Sequence, residues 1–317
     1  MDLLSIDSLS DGDIAAILDA GERFADANRG GAAQGQPLSG RIVFNLFHEN
    51  STRTLMSFSV AAHRLGAEVV TLPVEQSSTK KGETLDDTAR TLDAMRPDVL
   101  IIRHSENQAP QRMAAIVDCP VINAGDGTNE HPTQALLDAL TIRRRFGRIK
   151  SIKVAICGDI KHSRVARSNA LLLRRLGAEV RLAGPPALMP GDMQGNGDID
   201  AAIAGADVVM MLRVQRERLE DDLGDAPGEY LARYGLTAER LKRASPDAVV
   251  MHPGPMNRGI EISSEVADGS RSLILDQVTN GVAVRMAVLY LLAGGGREPE
   301  TVPSRNETTK ESPSNKK

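Results

Sequence analysis

Short apolar, β-rich runs alternate with helix-length segments along almost the whole chain. This alternation constrains the fold more than any other feature. The runs are Ile42 to Phe47, Glu68 to Leu72, Val99 to Arg103 and Val121 to Asn123, then Lys153 to Cys157, Glu179 to Ala183, Val208 to Leu212 and Val249 to His252. Unbroken apolar strands spaced by helices need parallel sheets covered on both faces. Asp11 to Asp26 reads as an amphipathic helix with Ile14, Ile17 and Leu18 on one face. Ser57 to Leu65 places Phe58, Ala61, Ala62 and Leu65 at helical spacing, with Gly66 as its C-cap. Thr133 to Phe146 reads as a long helix opened by Pro132, and Thr279 to Leu292 as an apolar terminal helix. The 317 residues suffice for two domains. An internal echo fits two similar halves: His63-Arg64-Leu65-Gly66-Ala67-Glu68-Val69 and Arg174-Arg175-Leu176-Gly177-Ala178-Glu179-Val180 each read as a helix end, a glycine cap and the next strand.

The run Phe47-His48-Glu49-Asn50-Ser51-Thr52-Arg53-Thr54 falls where the first strand ends and a helix begins. Free backbone N–H groups and the helix dipole favour an anion there. Three hydroxyls and a guanidinium in four residues add donors suited to phosphate. Taken alone, the run better fits an ordinary N-cap beside a solvated arginine. Its company tips the balance, because basic and polar residues recur at the C-terminal ends of the other strands. These are Arg103-His104, Asn129 to Gln134, Lys161-His162-Ser163-Arg164, Arg213-Val214-Gln215 and His252-Pro253-Gly254-Pro255. Open α/β sheets bind ligands at that edge, so the five places predict one cleft for anionic groups. His131 and Gln134 share a helix face; His131 either polarises a carbonyl oxygen or serves as a cap satisfied by the backbone. Lys80-Lys81-Gly82 lies in a polar loop, where a lysine pair is ordinarily solvated and Gly82 permits a tight turn.

Other chemistries find no support. The net charge of −4, the absence of tryptophan and the 3% aromatic content argue against nucleic-acid binding. Cys119 and Cys157 lie far apart in apolar runs and read as small buried hydrophobes in a reducing compartment. No run of about 18 apolar residues or secretory leader pattern occurs, so a soluble cytoplasmic protein is expected. No nucleophile elbow, Walker A loop, His-Glu-x-x-His helix or metal-ligand spacing is present, and no cofactor is expected. After Gly294-Gly295-Gly296 the tail is polar and reads as disordered.

Together these motifs resemble the transcarbamoylase family, over roughly residues 2 to 293. Ser51 to Thr54 looks like its carbamoyl-phosphate signature, Ser77 to Glu83 like its mobile loop, His131-Pro132-Thr133-Gln134 like its His-Pro-x-Gln motif, and Arg213-Val214-Gln215 like its aspartate-binding motif. The resemblance implies an α/β chain of two doubly wound domains, each with a parallel sheet covered by helices, closing over a shared cleft. It sets residues 1–132 with 280–296 as the carbamoyl-phosphate domain, 133–279 as the aspartate domain and 297–317 as the tail. It implies transfer of a carbamoyl group from carbamoyl phosphate to L-aspartate, an early step of pyrimidine synthesis, without a metal. Ser51, Thr52, Arg53 and Thr54 would hold the phosphate; Arg103, His131 and Gln134 would hold and polarise the carbamoyl carbonyl. The backbone at Gly254 and Pro255 would contact the carbamoyl group. Arg164, Arg213 and Gln215 would bind aspartate, and Ser77 and Lys81 would enter from a neighbouring chain of a homotrimer. Regulatory or dihydroorotase-like partner chains stay open, as do ornithine as acceptor and a non-catalytic anion-binding role. Three departures stand out: Leu55 where the family usually has a second arginine, Asn50 for a common proline, and Val165 where some relatives carry threonine.

Overall fold

The computed structural model describes residues 1–30, 35–73, 82–191, 197–214 and 228–294. The first half holds a parallel sheet of β1 (Ile42–Phe47), β2 (Glu68–Pro73), β3 (Val99–His104) and β4 (Val121–Asp126), in the order β2-β1-β3-β4. The second holds β5 (Lys153–Cys157), β6 (Glu179–Ala183), β7 (Val208–Met211) and β8 (Val249–Met251), in the order β6-β5-β7-β8. The two orders are the same, and every pairing is parallel. All of β4 and β7 is buried, as strands covered on both faces must be.

The covering helices of the first half are α1 (Asp11–Gly30), α2 (Thr52–Arg64), α3 (Leu85–Asp93), α4 (Ala109–Ala114) and α5 (Pro132–Phe146). The second half adds α6 (Arg164–Arg175), α7 (Ile199–Ile203), α8 (Glu229–Tyr234), α9 (Ala238–Leu241), α10 (Ser264–Ala267) and α11 (Ile274–Leu292). Ser10 and Asp13 start α1 by reciprocal bonds: the Ser10 N–H donates to Asp13 Oδ2 at 2.9 Å, and the Asp13 N–H to Ser10 Oγ at 3.1 Å. α1 then buries Ile14, Ile17 and Leu18.

The internal echo is a structural repeat. α2 and α6 both stop at a glycine in the left-handed region, Gly66 at φ +83° and Gly177 at φ +82°. In each, the next residue's N–H reaches back into the helix, Ala67 to the Ala62 carbonyl at 3.0 Å and Ala178 to the Leu173 carbonyl at 2.9 Å. A side chain at either glycine would sit in a strained conformation.

α11 carries the chain back to the first half, where it packs on α1, α2 and α5. It buries Val284, Met286, Val288 and Leu289 completely, each worth about 1.5–3 kcal/mol. α5 also packs on α6, and one hydrophobic core runs from Val43 and Phe58 through Leu136 and Leu140 to Ile156 and Leu172. The cleft therefore has a firm floor shared by both halves.

Some details differ from the sequence reading. α11 begins at Ile274 rather than Thr279, because Gln277 is paired in the interior and does not mark a loop. β4 continues to Asp126, whose N–H donates to the Glu130 carbonyl. Cys157 is buried, and burial pushes its thiol up to about 12. Cys119 is only half-buried: it packs against the apolar cluster that includes Leu100, Met113 and Val117, with Asp93, Asp98 and Asp118 nearby. The 297–317 tail lies outside the described residues. Among the described residues no helix is long and apolar enough to cross a membrane.

Candidate active site

The C-terminal ends of both sheets face one cavity of about 650 Å³. It is lined by Ser51, Thr52, Arg53, Thr54, Arg103, His131, Gln134, Arg164, Arg213, Gly254 and Pro255. Eleven expected site residues from six places in the chain thus meet there. Ser77, Lys81 and Gln215 lie outside the described residues.

Ser51 is the N-cap of α2 in an extended conformation, and its side chain makes no cap bond. The first-turn N–H groups are therefore not consumed by a cap hydroxyl, which differs from the ordinary capping reading. Arg53 is exposed to the cleft and lies against Gly254 so closely that a Cβ there would collide with the guanidinium. This contact joins the phosphate-type loop of the first half to the turn after β8. Leu55 points away and packs on the core, in keeping with a structural role.

Glu49 is one residue the sequence reading missed. Its Oε1 accepts from Arg103 Nη2 at 3.0 Å and Arg164 Nη2 at 2.9 Å, and its Oε2 accepts from Arg164 Nη1 at 2.9 Å. The grip on Arg164 is bidentate and spans the two halves. Burial pushes the Glu49 carboxyl up, but the Arg164 hydrogen bonds and the charges of Arg103 and Arg164 outweigh it, so the pKa falls below the usual range. Burial and the neighbouring Arg164 push Arg103 down to about 10, against the pull of Glu49. Arg103 still carries its charge at neutral pH.

His131 is the N-cap of α5 and is 4% exposed. Its backbone N–H donates to Ser168 Oγ at 2.9 Å, and that hydroxyl donates to Glu130 Oε2 at 3.0 Å. Glu130 in turn accepts the Ile6 N–H at 2.9 Å. The ring Nδ1 is buried without a partner, so the satisfied-cap alternative does not hold. Burial holds the imidazole well below its ordinary pKa, helped by the charges of Arg103, Arg164 and Arg285. A neutral imidazole in this place can donate one N–H to a carbonyl oxygen without taking up a proton first.

Gln134 Nε2 donates to Asp138 Oδ1 at 2.9 Å. Arg285, from α11, is buried at the cleft wall with its guanidinium 5.0 Å from the Phe58 ring centre. Neither Asp138 nor Arg285 stood out in the sequence. Asp138 had one local signal: it follows Gln134 by four residues, on the same helix face. No cluster of three or more His, Cys, Asp or Glu side chains placed to hold a metal ion occurs among the described residues.

Comparisons with known proteins cover both halves of the fold. Residues 1–144 match the family model described as the aspartate/ornithine carbamoyltransferase carbamoyl-P binding domain, and residues 150–292 match the Asp/Orn binding domain. The aspartate carbamoyltransferase catalytic subunit of Rhizorhabdus wittichii is 58% identical over 296 residues, covering 92% of this chain and 94% of that one. Aspartate transcarbamoylase from Trypanosoma cruzi, solved with N-(phosphonacetyl)-L-aspartic acid, is similar at a TM-score of 0.83 and 34% identity, covering 91% and 94%. Ornithine carbamoyltransferase from Pyrococcus furiosus also reaches a TM-score of 0.83, at 29% identity, covering 93% and 97%. Both halves of the chain are thus matched, and the chain belongs to the aspartate/ornithine carbamoyltransferase family.

Proposed function

We propose that the chain transfers the carbamoyl group of carbamoyl phosphate to L-aspartate, giving N-carbamoyl-L-aspartate and phosphate. The observation that carries this reading is the convergence of Arg53, Arg103, Arg164 and Arg213 on one cavity with a neutral His131. Two anionic substrates need several fixed cations to meet, and guanidinium suits phosphate and carboxylate alike.

In this reading Ser51, Thr52, Arg53, Thr54 and the α2 N-terminus hold the phosphate. Arg103 and His131 donate to the carbamoyl oxygen, where charge develops as the amine attacks. Gln134 and the turn at Gly254 and Pro255 hold the carbamoyl amide. Arg164, Arg213 and Gln215 take the aspartate carboxylates. The aspartate amine forms the new C–N bond, the C–O bond to phosphate breaks, and the amine proton leaves with the departing phosphate. Positioning and electrostatics supply the acceleration, without a metal. Three chains form a ring, and Ser77 and Lys81 complete the site of a neighbour. Within each chain, residues 1–132 with 280–296 form the carbamoyl-phosphate domain, and residues 133–279 form the aspartate domain. The setting is the cytoplasm.

Ornithine is the rival acceptor. Its side-chain ammonium calls for carboxylates at the far end of the cleft, whereas Arg213 and the His252-Pro253-Gly254-Pro255 turn stand at this one. Turnover of carbamoyl phosphate with aspartate and none with ornithine is expected, unchanged after exhaustive chelation. Turnover with ornithine alone would reject the reading.

A further inference from the structure

Beneath the carbamoyl subsite lies a carboxylate with no exposure to solvent. Asp138, on α5, accepts from three side-chain amides. Gln134 Nε2 reaches its Oδ1 at 2.9 Å, Gln277 Nε2 the same oxygen at 2.8 Å, and Asn169 Nδ2 its Oδ2 at 2.8 Å. An ionised carboxylate only accepts, so it dictates which end of each amide faces it. Gln134 must turn its NH₂ inward, and its carbonyl oxygen is the end left for the cleft.

The Gln277 amide, fixed in the same way, points its Oε1 outward to the His252 N–H at 2.8 Å. That bond anchors the turn from His252 to Pro255, which lines the cavity. The backbone donors of this turn are all spent. His252 N–H is taken by Gln277, Gly254 N–H donates to His252 Nδ1 at 2.9 Å, and Pro253 and Pro255 have none. The His252 Nε2 lies 3.3 Å from the Glu261 carboxylate. The backbone of the turn can offer the cavity only carbonyl oxygens. One buried acid on α5 thus governs an acceptor on each side of the subsite, Gln134 on α5 and the turn after β8.

We propose that Asp138, which touches no substrate, is the positioning residue that makes the carbamoyl subsite an acceptor-only reader of the substrate's NH₂ group. The proposal rests on the carbamoyl-transfer reading above. It assigns Asp138 a share of the discrimination between a carbamoyl and an acetyl group, which match in shape but differ in NH₂ against CH₃. A site whose buried acceptors expect N–H donors rejects a methyl group because those acceptors are left unpaired.

Asp138→Asn tests this. The new NH₂ meets a donor whichever way it turns. Asn169 Nδ2 also donates to the Val165 carbonyl at 3.1 Å, and Gln277 is held by His252, so Gln134 is the amide freest to turn over. A turned Gln134 presents a donor to the substrate's NH₂. The experiment measures kcat and KM for carbamoyl phosphate with aspartate, and the inhibition constant of acetyl phosphate against carbamoyl phosphate, for the wild-type and variant enzymes, with thermal melting as the check on folding. The expected result is a loss in kcat on the order of tenfold or more, and a fall of at least about tenfold in the ratio of acetyl-phosphate inhibition constant to carbamoyl-phosphate KM. A merely structural role would weaken both ligands alike, and an unchanged ratio in a folded variant overturns the proposal. Where Asp138→Asn does not fold, Gln277→Leu decides: it leaves Asp138 and Gln134 paired and releases the His252 turn. A fallen ratio there supports the relay, and an unchanged one overturns it. Wild-type enzyme that fails to turn over carbamoyl phosphate with aspartate would instead sink the assigned reaction, independently of Asp138.

Discussion

Replacing Arg53 with alanine isolates the charge proposed to face the leaving phosphate. Arg53 lies in the first turn of α2, exposed to the cleft, so its loss opens no hole in the core. A guanidinium about 4 Å from a phosphate oxygen, at an effective dielectric of about 20, interacts with a unit charge by ~4 kcal/mol. Only charge that appears on the way to the transition state counts toward kcat. If about half to all of a unit develops on the leaving oxygen, the differential is ~2–4 kcal/mol. At about 1.4 kcal/mol per decade, that is a kcat loss of roughly 30- to 10³-fold. Mutational losses of one preorganised donor fall in the range of about 10²–10³. Arg53→Lys keeps the charge and loses the bidentate geometry, so it should recover part of the rate. The assay is carbamoyl-aspartate formation at saturating concentrations of both substrates, with melting curves to show an intact fold. Unchanged kcat with only a raised KM for carbamoyl phosphate would refute the reasoning, since Arg53 would then bind ground and transition states equally.

Glu49→Gln removes the charge that grips Arg164 at two points. The KM for aspartate should rise on the order of tenfold, with a smaller change for carbamoyl phosphate, because a charge-assisted bond contributes about 1.5–3 kcal/mol; equal KM values for aspartate in variant and wild type would contradict this. Neither Lys81→Ala nor Arg53→Ala chains should work alone, whereas mixed trimers should regain roughly a quarter of the wild-type activity, since one interface in about four pairs the two intact residues. Confirmed mixed trimers without recovery would place Lys81 outside its neighbour's site. Stability should fall as the pH drops from about 6.5 towards 4. Burial, with His104 beside it, holds His48 down to about 4 in the folded chain, while the unfolded chain takes up a proton near 6.5. A group with a depressed folded pKa loses its contribution on acidification, and His48→Asn should make the fall in melting temperature shallower across that window, the rest coming from His131 and His104, which are also held below their ordinary pKa. Asp138, pushed up by burial to about 6, acts in the opposite sense between 6 and 3.8. An equally steep fall in the His48 variant would exclude His48 as the source.

The parts of the fold that were legible were those with a continuous local signal. β1, β5 and β6 have the bounds read from their β-rich runs, because their Val, Ile, Leu and Phe residues outweigh single polar positions such as Asn45 and Arg181. β4 was read short because Ala124, Gly125 and Asp126 have weak strand preference and are held by the register with β3 and by Glu130. The cationic side of the cleft was legible because arginines at strand ends already declare an anion site. Glu49 was not, since its partners Arg103 and Arg164 lie 54 and 115 residues away in sequence. His131 was visible as a helix-start histidine. Its unpartnered, uncharged state depends on α6, α11 and β3 arriving around it.

The return of α11 to the first half sets the order in which a growing chain can mature. α1 and α11 are neighbours in space, yet the 243 residues from 31 to 273 lie between them. A nascent chain therefore presents the apolar face of α1, with Ile14, Ile17 and Leu18, long before its covering helix has been made. The second sheet and its helices are complete in sequence by residue 267, so that half can close while the first still waits. The earlier-made half is thus the later to finish, and its exposed helix layer is the stretch most in need of shielding during synthesis.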